Sequence, residues 1–236
     1  MIHLSKRLRM NASFVTPGNR LADVGTDHGY IPIALVMGKT IPFALAMDVN
    51  EGPLERAKEH IREFQLESCI HTRLSDGVQA LHPGEADSVL IAGMGGALTV
   101  KILTEGKQVL KSVKELILQP QSEIDKVRRY LEQAGYRIIR EDMVCEDGKY
   151  YPVMKAVAGD MHYDREIFYQ YGKLLLEARH PVLEDYLGKR KVACEAIHRK
   201  MIQDGSKEER TQCRIRQIQE EIEQIQEALS YMRSMK

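Results

Sequence analysis

Carboxylates and glycines alternate in a short stretch near the start of the chain, residues 22–32, which reads ADVGTDHGYIP. A strand, a glycine turn and a helix in succession form the crevice in which open α/β sheets bind ligands. A dinucleotide site needs a second glycine at the position of Asp27, because bare backbone must approach the pyrophosphate there. A carboxylate repels phosphate, so Asp23 and Asp27, around Gly25, favour a cationic ligand. The bland alternative is an ordinary turn, in which aspartate and glycine are common.

Further carboxylates follow the next two segments that read as strands. Asp48 closes the segment AMDVN, where an acid can accept hydrogen bonds from both ribose hydroxyls. Asp76 and Gly77 follow the third strand, where a carboxylate can hold an adenine amino group and the glycine lets the ring pack closely. Three acidic turns after successive strands are hard to explain by chance. S-adenosylmethionine, which has no phosphate and carries an ammonium and a sulfonium, suits this set.

The fourth strand leads into a glycine-rich turn made of Gly93, Met94, Gly95 and Gly96. Its glycines give backbone access and room for a planar ring, although a tight strand-to-helix turn would need them too. The acid, asparagine or serine followed by two prolines and an aromatic, found in enzymes that methylate exocyclic amines, is absent. No cysteine follows this strand or the next, as covalent cytosine chemistry would require. Direct transfer to a ring nitrogen or an oxygen remains.

Other reactive residue types give weaker signals. His28, inside the first turn, either orients a bound group or is a hydrogen-bonded structural histidine. The histidines show no HExxH spacing and the four cysteines lie far apart, so we expect no metal site and no disulfide framework. No apolar run approaches the roughly 20 residues that a membrane span needs. We therefore expect a cytoplasmic protein without a membrane partner.

The elements that must position these residues follow the rhythm of a parallel α/β sheet. Five strands are predicted, followed by two long strands, YRIIREDMVC and YYPVMKAVA, whose separation by Glu-Asp-Gly-Lys is typical of an antiparallel hairpin. Helices are predicted from Tyr30 and over residues 53–65, 97–105 and 122–134. The five strands cover residues 21–25, 43–48, 70–74, 88–92 and 115–119.

The last quarter of the chain predicts a different architecture. Residues 1–159 form the predicted α/β domain, and residues 160–236 a helical coiled-coil domain with two long helices that meet at Asp204, Gly205 and Ser206. An antiparallel helical hairpin explains its apolar stripes, and dimerisation through the seam is the alternative. We expect a monomer. The second helix carries Ile215, Ile218, Ile222, Ile225, Leu229 and Met232, and the first Leu187, Cys194, Ile197 and Met201, with Arg190 in one seam position.

Lys plus Arg and Asp plus Glu both number 34, so net charge indicates no partner. Two local basic zones do, because lysines and arginines can contact a phosphate backbone without reading sequence. A solvated helix face is the alternative reading of such runs. One zone lies at the N-terminus and the other in the first long helix, and together they supply Lys6, Arg7, Arg9, Lys189, Arg190, Lys191, Arg199 and Lys200.

Several of these motifs together resemble one family. They are LSKRL at 4–8, the 22–32 stretch, SDG at 75–77, ADSVLIAGMGGAL at 86–98, LILQPQ at 116–121 and EDGKYY at 146–151. The chain thereby resembles the TrmK family, the bacterial tRNA (adenine-N1)-methyltransferases that act on adenine 22 of tRNA. The resemblance implies a class I methyltransferase fold, with Rossmann-like topology, and a C-terminal helical hairpin.

The resemblance also implies transfer of the sulfonium methyl of S-adenosylmethionine to adenine N1 in tRNA. The product is a cation, so a nearby carboxylate could stabilise it or take a proton from N6. Asp27 is the candidate, since it follows the first strand beside the methionine end of the cofactor. Two alternatives stay open: a class I methyltransferase acting on a small molecule or protein, and a coiled-coil RNA-binding protein without catalysis.

Overall fold

The computed structural model describes residues 2–203 and 208–235. The chain groups into two compact units, Met1–His162 and Tyr163–Lys236. The predicted break at Asp204, Gly205 and Ser206 lies outside the described residues. In the described ranges, none of the helices has both the length and the apolar character that a bilayer span demands.

The strands of the first unit join into one sheet in the order β3-β2-β1-β4-β5-β7-β6. The first five strands are parallel, and β7 runs antiparallel to β5 and β6. This arrangement confirms the predicted Rossmann-like sheet closed by a hairpin. The strands are β1 (Leu21–Val24), β2 (Ala44–Asp48), β3 (Ile70–Leu74), β4 (Ser88–Ala92), β5 (Glu115–Gln119), β6 (Tyr136–Glu146) and β7 (Lys149–Ala158).

Helices cover the sheet because its central strands are apolar on both faces; β1 and β5 are buried along their whole length. Helix α1, which the sequence analysis did not predict, begins after Ser5, whose hydroxyl accepts a hydrogen bond from the Leu8 amide at 3.3 Å. The helices of this unit are α1 (Lys6–Phe14), α2 (Tyr30–Met37), α3 (Glu51–Glu63), α4 (Gly96–Glu105), α5 (Lys107–Leu110) and α6 (Ile124–Gln133).

A buried polar network ties the chain that follows α1 to the amino ends of β4 and β5. Glu115 accepts hydrogen bonds from the Thr16 hydroxyl at 2.6 Å, the Ser88 hydroxyl at 2.7 Å and the Lys155 ammonium at 3.0 Å. Burial alone would raise the pKa of Glu115, but the donors of Thr16, Ser88 and Lys155 outweigh it and lower that pKa below its ordinary 4.5. The network therefore holds a charged carboxylate in place and fixes the C-terminal end of α1.

The second unit contains the two long helices that were predicted, α8 (Pro181–Gln203) and α9 (Glu209–Ser234), preceded by a π-helical turn (Phe168–Gly172) and α7 (Lys173–Glu177). Helices α8 and α9 pack against each other, with Cys194, Ile218 and Ile222 forming a shared buried cluster. Placing Ile197 in this seam was wrong, because it is 45% exposed. Ile197 shares the heptad position of Arg190, whose side chain is 40% exposed, so this position lies at the border of the seam, whereas Leu187 and Cys194 lie in its buried part.

The charged residue in the predicted seam has a partner on the facing helix. Arg190 donates to both carboxylate oxygens of Glu221, with Nε–Oε1 and Nη2–Oε2 distances of 2.5 and 3.0 Å. A bidentate pair of this kind fixes register as well as contributing energy. Arg190 thus joins α8 to α9 rather than leaving an unmatched charge in the seam.

We expect Glu115→Gln to lower the free energy of unfolding by about 2 kcal/mol near neutral pH, because Lys155 and Thr16 lose a charged acceptor. A carboxylate with a lowered pKa contributes stability above its unfolded-state pKa, so the difference should shrink as pH falls below 4.5. Urea unfolding at several pH values measures it, with the exposed Glu59→Gln as control. Equal losses in the two variants would contradict the role of the network.

Candidate functional site

The carboxyl edge of the parallel strands brings the predicted motifs together. The turns after β1 and β4 lie side by side, because β1 pairs with β4. The turns after β2 and β3 lie beyond them on the other side of β1. The Gly25 and Thr26 amides both donate to the carbonyl of Met47, at 2.8 and 2.9 Å, which fixes the first turn against β2.

Asp23 is the most deeply buried carboxylate at this edge, with 7% of its surface exposed. Burial raises the pKa of Asp23 from its ordinary 3.8 to about 6, the nearby charge of Asp48 adds to the rise, and the Thr26 hydroxyl opposes it. A buried carboxylate gains most from a cation placed beside it, since desolvation strengthens the attraction. Asp23 therefore marks a position suited to a positively charged group.

Asp27 lies at the surface of the same turn, with 64% of its side chain exposed. Its carboxylate pairs with Arg56 of α3, whose Nη2 lies 2.5 Å from Oδ1, and the His28 Nε2 lies 3.4 Å from Oδ2. Arg56 thus places a positive charge against the carboxylate that was predicted to stabilise a cationic product. The sequence analysis missed this partner, which is 29 positions away and carries no local signal.

His28 belongs to a stack of three rings on the outer side of the turn. Its ring centroid lies 5.0 Å from that of Tyr30 and 5.3 Å from that of His60. The His60 Nδ1 also lies 3.0 Å from the backbone carbonyl of His28. The stack joins the start of α2 to α3 and holds the turn, so His28 serves in part the structural role that was its alternative interpretation.

The turns after β2 and β3 combine carboxylates with exposed apolar side chains. Asp48 accepts a hydrogen bond from the Asn50 amide at 2.8 Å, and Asp76 is exposed, 3.9 Å from the Lys101 ammonium. Val49 and Leu74 are 58% and 52% exposed, and they lie on neighbouring strand ends because Leu74 pairs with Asp48, so together they offer an apolar surface that suits a planar ring. Neither side chain was predicted to contact a ligand, although an apolar residue directly after Asp48 could have indicated such a contact.

Gly77, predicted to let an adenine ring pack closely, has a different neighbour. A Cβ built on Gly77 would lie 2.9 Å from side-chain atoms of Ile102 in α4. The backbone there also adopts a φ of +57°. The glycine thus lets the third turn approach α4, and the exposed apolar surface of this turn comes from Leu74.

The glycines after β1 and β4 permit close packing between turns. A Cβ on Gly25, where φ is +78°, would lie 2.3 Å from the Met94 methyl group. A Cβ on Gly96 would lie 2.5 Å from the carbonyl oxygens of Ser122 and Glu123. Gly95 is half-buried near the Ser122 hydroxyl, and Gly93 alone among these glycines of the fourth turn is exposed. The open surface of the fourth turn is therefore centred on Gly93.

Helix α1 brings one of the predicted RNA-binding residues to this edge. The Arg7 Nη1 lies 3.4 Å from the Oε1 of buried Gln119, and the guanidinium carbon lies 5.3 Å from the ring centroid of Tyr151. Lys6 and Arg9 are exposed on the same helix. Arg7 thus differs from its two neighbours, since it is half-buried and held at the end of β5.

The basic residues predicted in α8 are mostly paired with carboxylates. Lys189 bonds to Asp185 at 2.8 Å, and Lys191 lies 3.4 Å from Glu195. Arg190 is held by Glu221, whereas Arg199 and Lys200 are exposed near the end of the helix. The structure therefore separates these five cations into a paired group and an exposed pair.

These residues fit S-adenosylmethionine. The buried Asp23 suits the cationic ammonium or sulfonium of its methionine part, Asp48 suits the ribose hydroxyls, and exposed Val49 and Leu74 beside Asp76 suit the adenine ring. Within residues 2–203 and 208–235, no group of three or more histidine, cysteine or acidic side chains is arranged to hold a metal ion.

A doubly wound sheet with an acid-lined carboxyl edge is compatible with a methyltransferase domain, and residues 4–154 match the family model described as a methyltransferase domain. The chain is 40% identical over 159 residues to the tRNA (adenine(22)-N(1))-methyltransferase of Bacillus subtilis strain 168, covering 67% of each chain. It belongs to the TrmK family of tRNA (adenine(22)-N1)-methyltransferases.

Solved structures agree over nearly the whole chain. The crystal structure of Bacillus subtilis TrmK is 30% identical with a TM-score of 0.86, covering 97% of this chain and 99% of that one. Sp1610 of Streptococcus pneumoniae, in complex with S-adenosyl-L-methionine, is 33% identical with a TM-score of 0.86, covering 96% of this chain and 100% of that one. The similarity therefore includes the helical unit as well as the sheet.

We expect Asp23→Asn to stabilise the ligand-free protein above pH 6. The folded state holds the Asp23 proton more tightly than the unfolded chain, so wild-type stability falls between about pH 4 and 6, by on the order of 3 kcal/mol. Asparagine cannot ionise, so this fall should disappear. Urea unfolding across that window measures it, and calorimetry should show weaker S-adenosylmethionine binding by the same variant.

The matched control is Asp76→Asn, which removes an exposed carboxylate of the same edge. It should keep the wild-type fall in stability between pH 4 and 6. If Asp23→Asn also kept that fall in stability, the ionised Asp23 carboxylate would not be the group that destabilises the ligand-free protein.

Proposed function

We propose that this protein transfers the methyl group of S-adenosylmethionine to N1 of adenine 22 in tRNA, acting in the cytoplasm as a monomer. Family membership together with the acid-lined edge carries the proposal. S-adenosylmethionine, when bound, supplies an electrophilic methyl group on a sulfonium. Adenine N1 has an in-plane lone pair, so the protein needs to orient this nucleophile rather than to activate it by covalent attack.

The carboxyl edge binds the cofactor through groups of different chemistry. Asp23 attracts the cationic ammonium or sulfonium of its methionine part, and Asp48 accepts hydrogen bonds from the ribose hydroxyls. Asp76 accepts from the adenine amino group, between the apolar side chains of Val49 and Leu74. Around them, Gly25, His28, Gly77, Gly93, Met94, Gly95 and Gly96 shape the crevice.

Asp27 is the proposed catalytic residue. Methylation at N1 makes the adenine a cation, and a carboxylate nearby lowers the energy of that charge or accepts a proton from N6. Arg56 holds the carboxylate in one orientation at 2.5 Å while weakening its net field. Arg56 therefore fixes the position of the Asp27 carboxylate and offsets part of its negative charge.

Two sets of cations bind the tRNA backbone. Lys6, Arg7 and Arg9 lie on α1, and the α8 set comprises Lys189, Arg190, Lys191, Arg199 and Lys200. Contacts with phosphates position a nucleic acid without reading its sequence. Turning a base out of a folded tRNA costs a few kcal/mol, which these contacts offset.

Incubation with S-adenosylmethionine and unmodified tRNA should produce a reverse-transcription stop at adenine 22, because an N1 methyl group blocks the pairing edge. Asp27→Ala should remove the stop and lower the single-turnover rate at saturating cofactor by about 100-fold or more, with the fold retained. A folded, cofactor-binding wild-type protein that gave no stop at adenine 22 would contradict the assignment.

Arg56→Ala separates two roles for Asp27. If the carboxylate acts on the substrate, removing Arg56 should cost less than removing Asp27, since the carboxylate remains. Equal losses in the two variants, with no further loss in the double variant, would mean that Asp27 serves only as the partner of Arg56.

Charge reversal of the exposed pair, Arg199→Glu with Lys200→Glu, should weaken tRNA binding and reduce the slope of log K against log salt by about one to two. Cofactor affinity should stay the same. The control is Lys107→Glu with Lys111→Glu, an equal charge change around α5. Filter binding at several salt concentrations measures both, and equal effects of the two double variants would remove α8 from the tRNA interface.

A further inference from the structure

The exposed Gly93 forms the floor of a small notch in the fourth turn. A Cβ built on this glycine would lie 3.4 Å from the Arg7 Nη1 and 3.6 Å from the Gln121 Nε2. The missing side chain thus leaves a space bordered by a guanidinium and a carboxamide. These two groups come from α1 and from the chain after β5, far from Gly93 in sequence.

The Arg7 guanidinium and the backbone of Gln121 are held by the surrounding structure. Arg7 is fixed by the carboxamide oxygen of Gln119 and by the ring of Tyr151. The backbone N–H of Gln121 donates to the carbonyl of Met94 at 2.8 Å, and the backbone N–H of Gly93 donates to the carbonyl of Gln119 at 3.1 Å. A preorganised guanidinium binds a ligand at a lower entropic cost than a mobile one, and the fixed backbone of Gln121 keeps its exposed carboxamide within reach of the same position.

The fourth turn itself offers no polar side chain to recognise a base, because it consists of glycines and Met94. A glutamine carboxamide can donate to N7 of adenine and accept from its N6 amino group, a bidentate pattern that distinguishes adenine from guanine. Hydrogen bonding to the N6 and N7 edge leaves N1 exposed, whereas hydrogen bonding to the Watson–Crick edge would block N1. Gln121 thus has the chemistry to hold adenine while N1 stays reactive.

We infer that the Gly93 notch holds the target adenine, with Gln121 bonded to its N6 and N7 and Arg7 donating to acceptor atoms of the same nucleotide. This inference rests on the proposed function and adds the residues that select the base. It also gives Arg7 a different role from Lys6 and Arg9. Those two residues bind the tRNA backbone, whereas Arg7 positions the reacting nucleotide.

The test is the single-turnover rate at saturating cofactor and protein, with tRNA containing adenosine or 7-deazaadenosine at position 22. The analogue replaces N7 by a carbon, so the wild-type rate should fall about 10-fold or more. Gln121→Ala should lose a similar factor on normal tRNA and show no further loss on the analogue. A merely structural role of Gln121 would not make the two losses overlap.

Arg7→Gln should lower the same rate about 10-fold or more while changing the dissociation constants for tRNA and cofactor less than about threefold. Arg7→Lys, which keeps the charge, should recover part of the rate. Lys111→Gln, at an exposed position outside both sites, should behave as wild type. Thermal unfolding of each variant checks that the fold is intact.

The outcomes separate the two proposals. A wild-type protein that gives no stop at adenine 22 contradicts the proposed function itself. A wild-type protein that does methylate adenine 22, but is indifferent to 7-deazaadenosine or loses rate additively with Gln121→Ala, contradicts the notch alone. If Arg7→Gln changes only the affinity for tRNA, Arg7 binds the tRNA backbone, as Lys6 and Arg9 do.

Discussion

The buried carboxylate of Asp23 is the constraint on which the carboxyl edge depends. Its position at the end of β1, the central strand of the parallel set, is what buries it and raises its pKa to about 6. A carboxylate so placed costs the ligand-free protein stability and is stabilised by a cation. The same placement disfavours phosphates, as does Asp27 in the next part of the turn. We therefore expect the charge of this turn to decide which ligands bind, in addition to the shape of the site.

Close approach between turns then determines where the site is open. Gly25 accommodates Met94, and Gly96 accommodates the backbone of Ser122 and Glu123. These contacts leave Gly93 as the exposed part of the fourth turn. Helix α1, about 13 Å long, runs between the carboxyl edge and the amino edge of the sheet. The Glu115 network holds the chain beyond one end of α1 at the amino edge, and Gln119 holds Arg7 at the carboxyl edge.

Local sequence patterns predicted most of the sheet. The bounds of β3, β4 and β5 are those expected from their apolar runs and the flanking turn residues, and the hairpin followed from its Asp-Gly turn. Helix α1 was missed because its sequence, KRLRMNASF, is polar in composition and shows little apolar period. Its burial comes from tertiary packing of Met10, Ala12 and Phe14, which a local pattern does not reveal.

The site was predictable where it lies within single turns and not where it joins distant elements. Asp23, Asp48 and Asp76 could be found because each follows a strand. The pairing of Asp27 with Arg56, and of Arg7 with Gln119, depends on which helices lie against which strand ends. The packing of Gly77 on Ile102 likewise follows from the approach of α4, which the sequence alone does not reveal.

We expect the carboxylates of Asp23 and Asp27 to select a cationic ligand without phosphate. Calorimetric titration of the intact protein near neutral pH with S-adenosylmethionine and with ADP tests it most directly, because both ligands carry adenosine and differ in the charge of the remainder. We expect S-adenosylmethionine to bind and ADP to bind at least about 100-fold more weakly. Binding of ADP as tight as that of S-adenosylmethionine would contradict it.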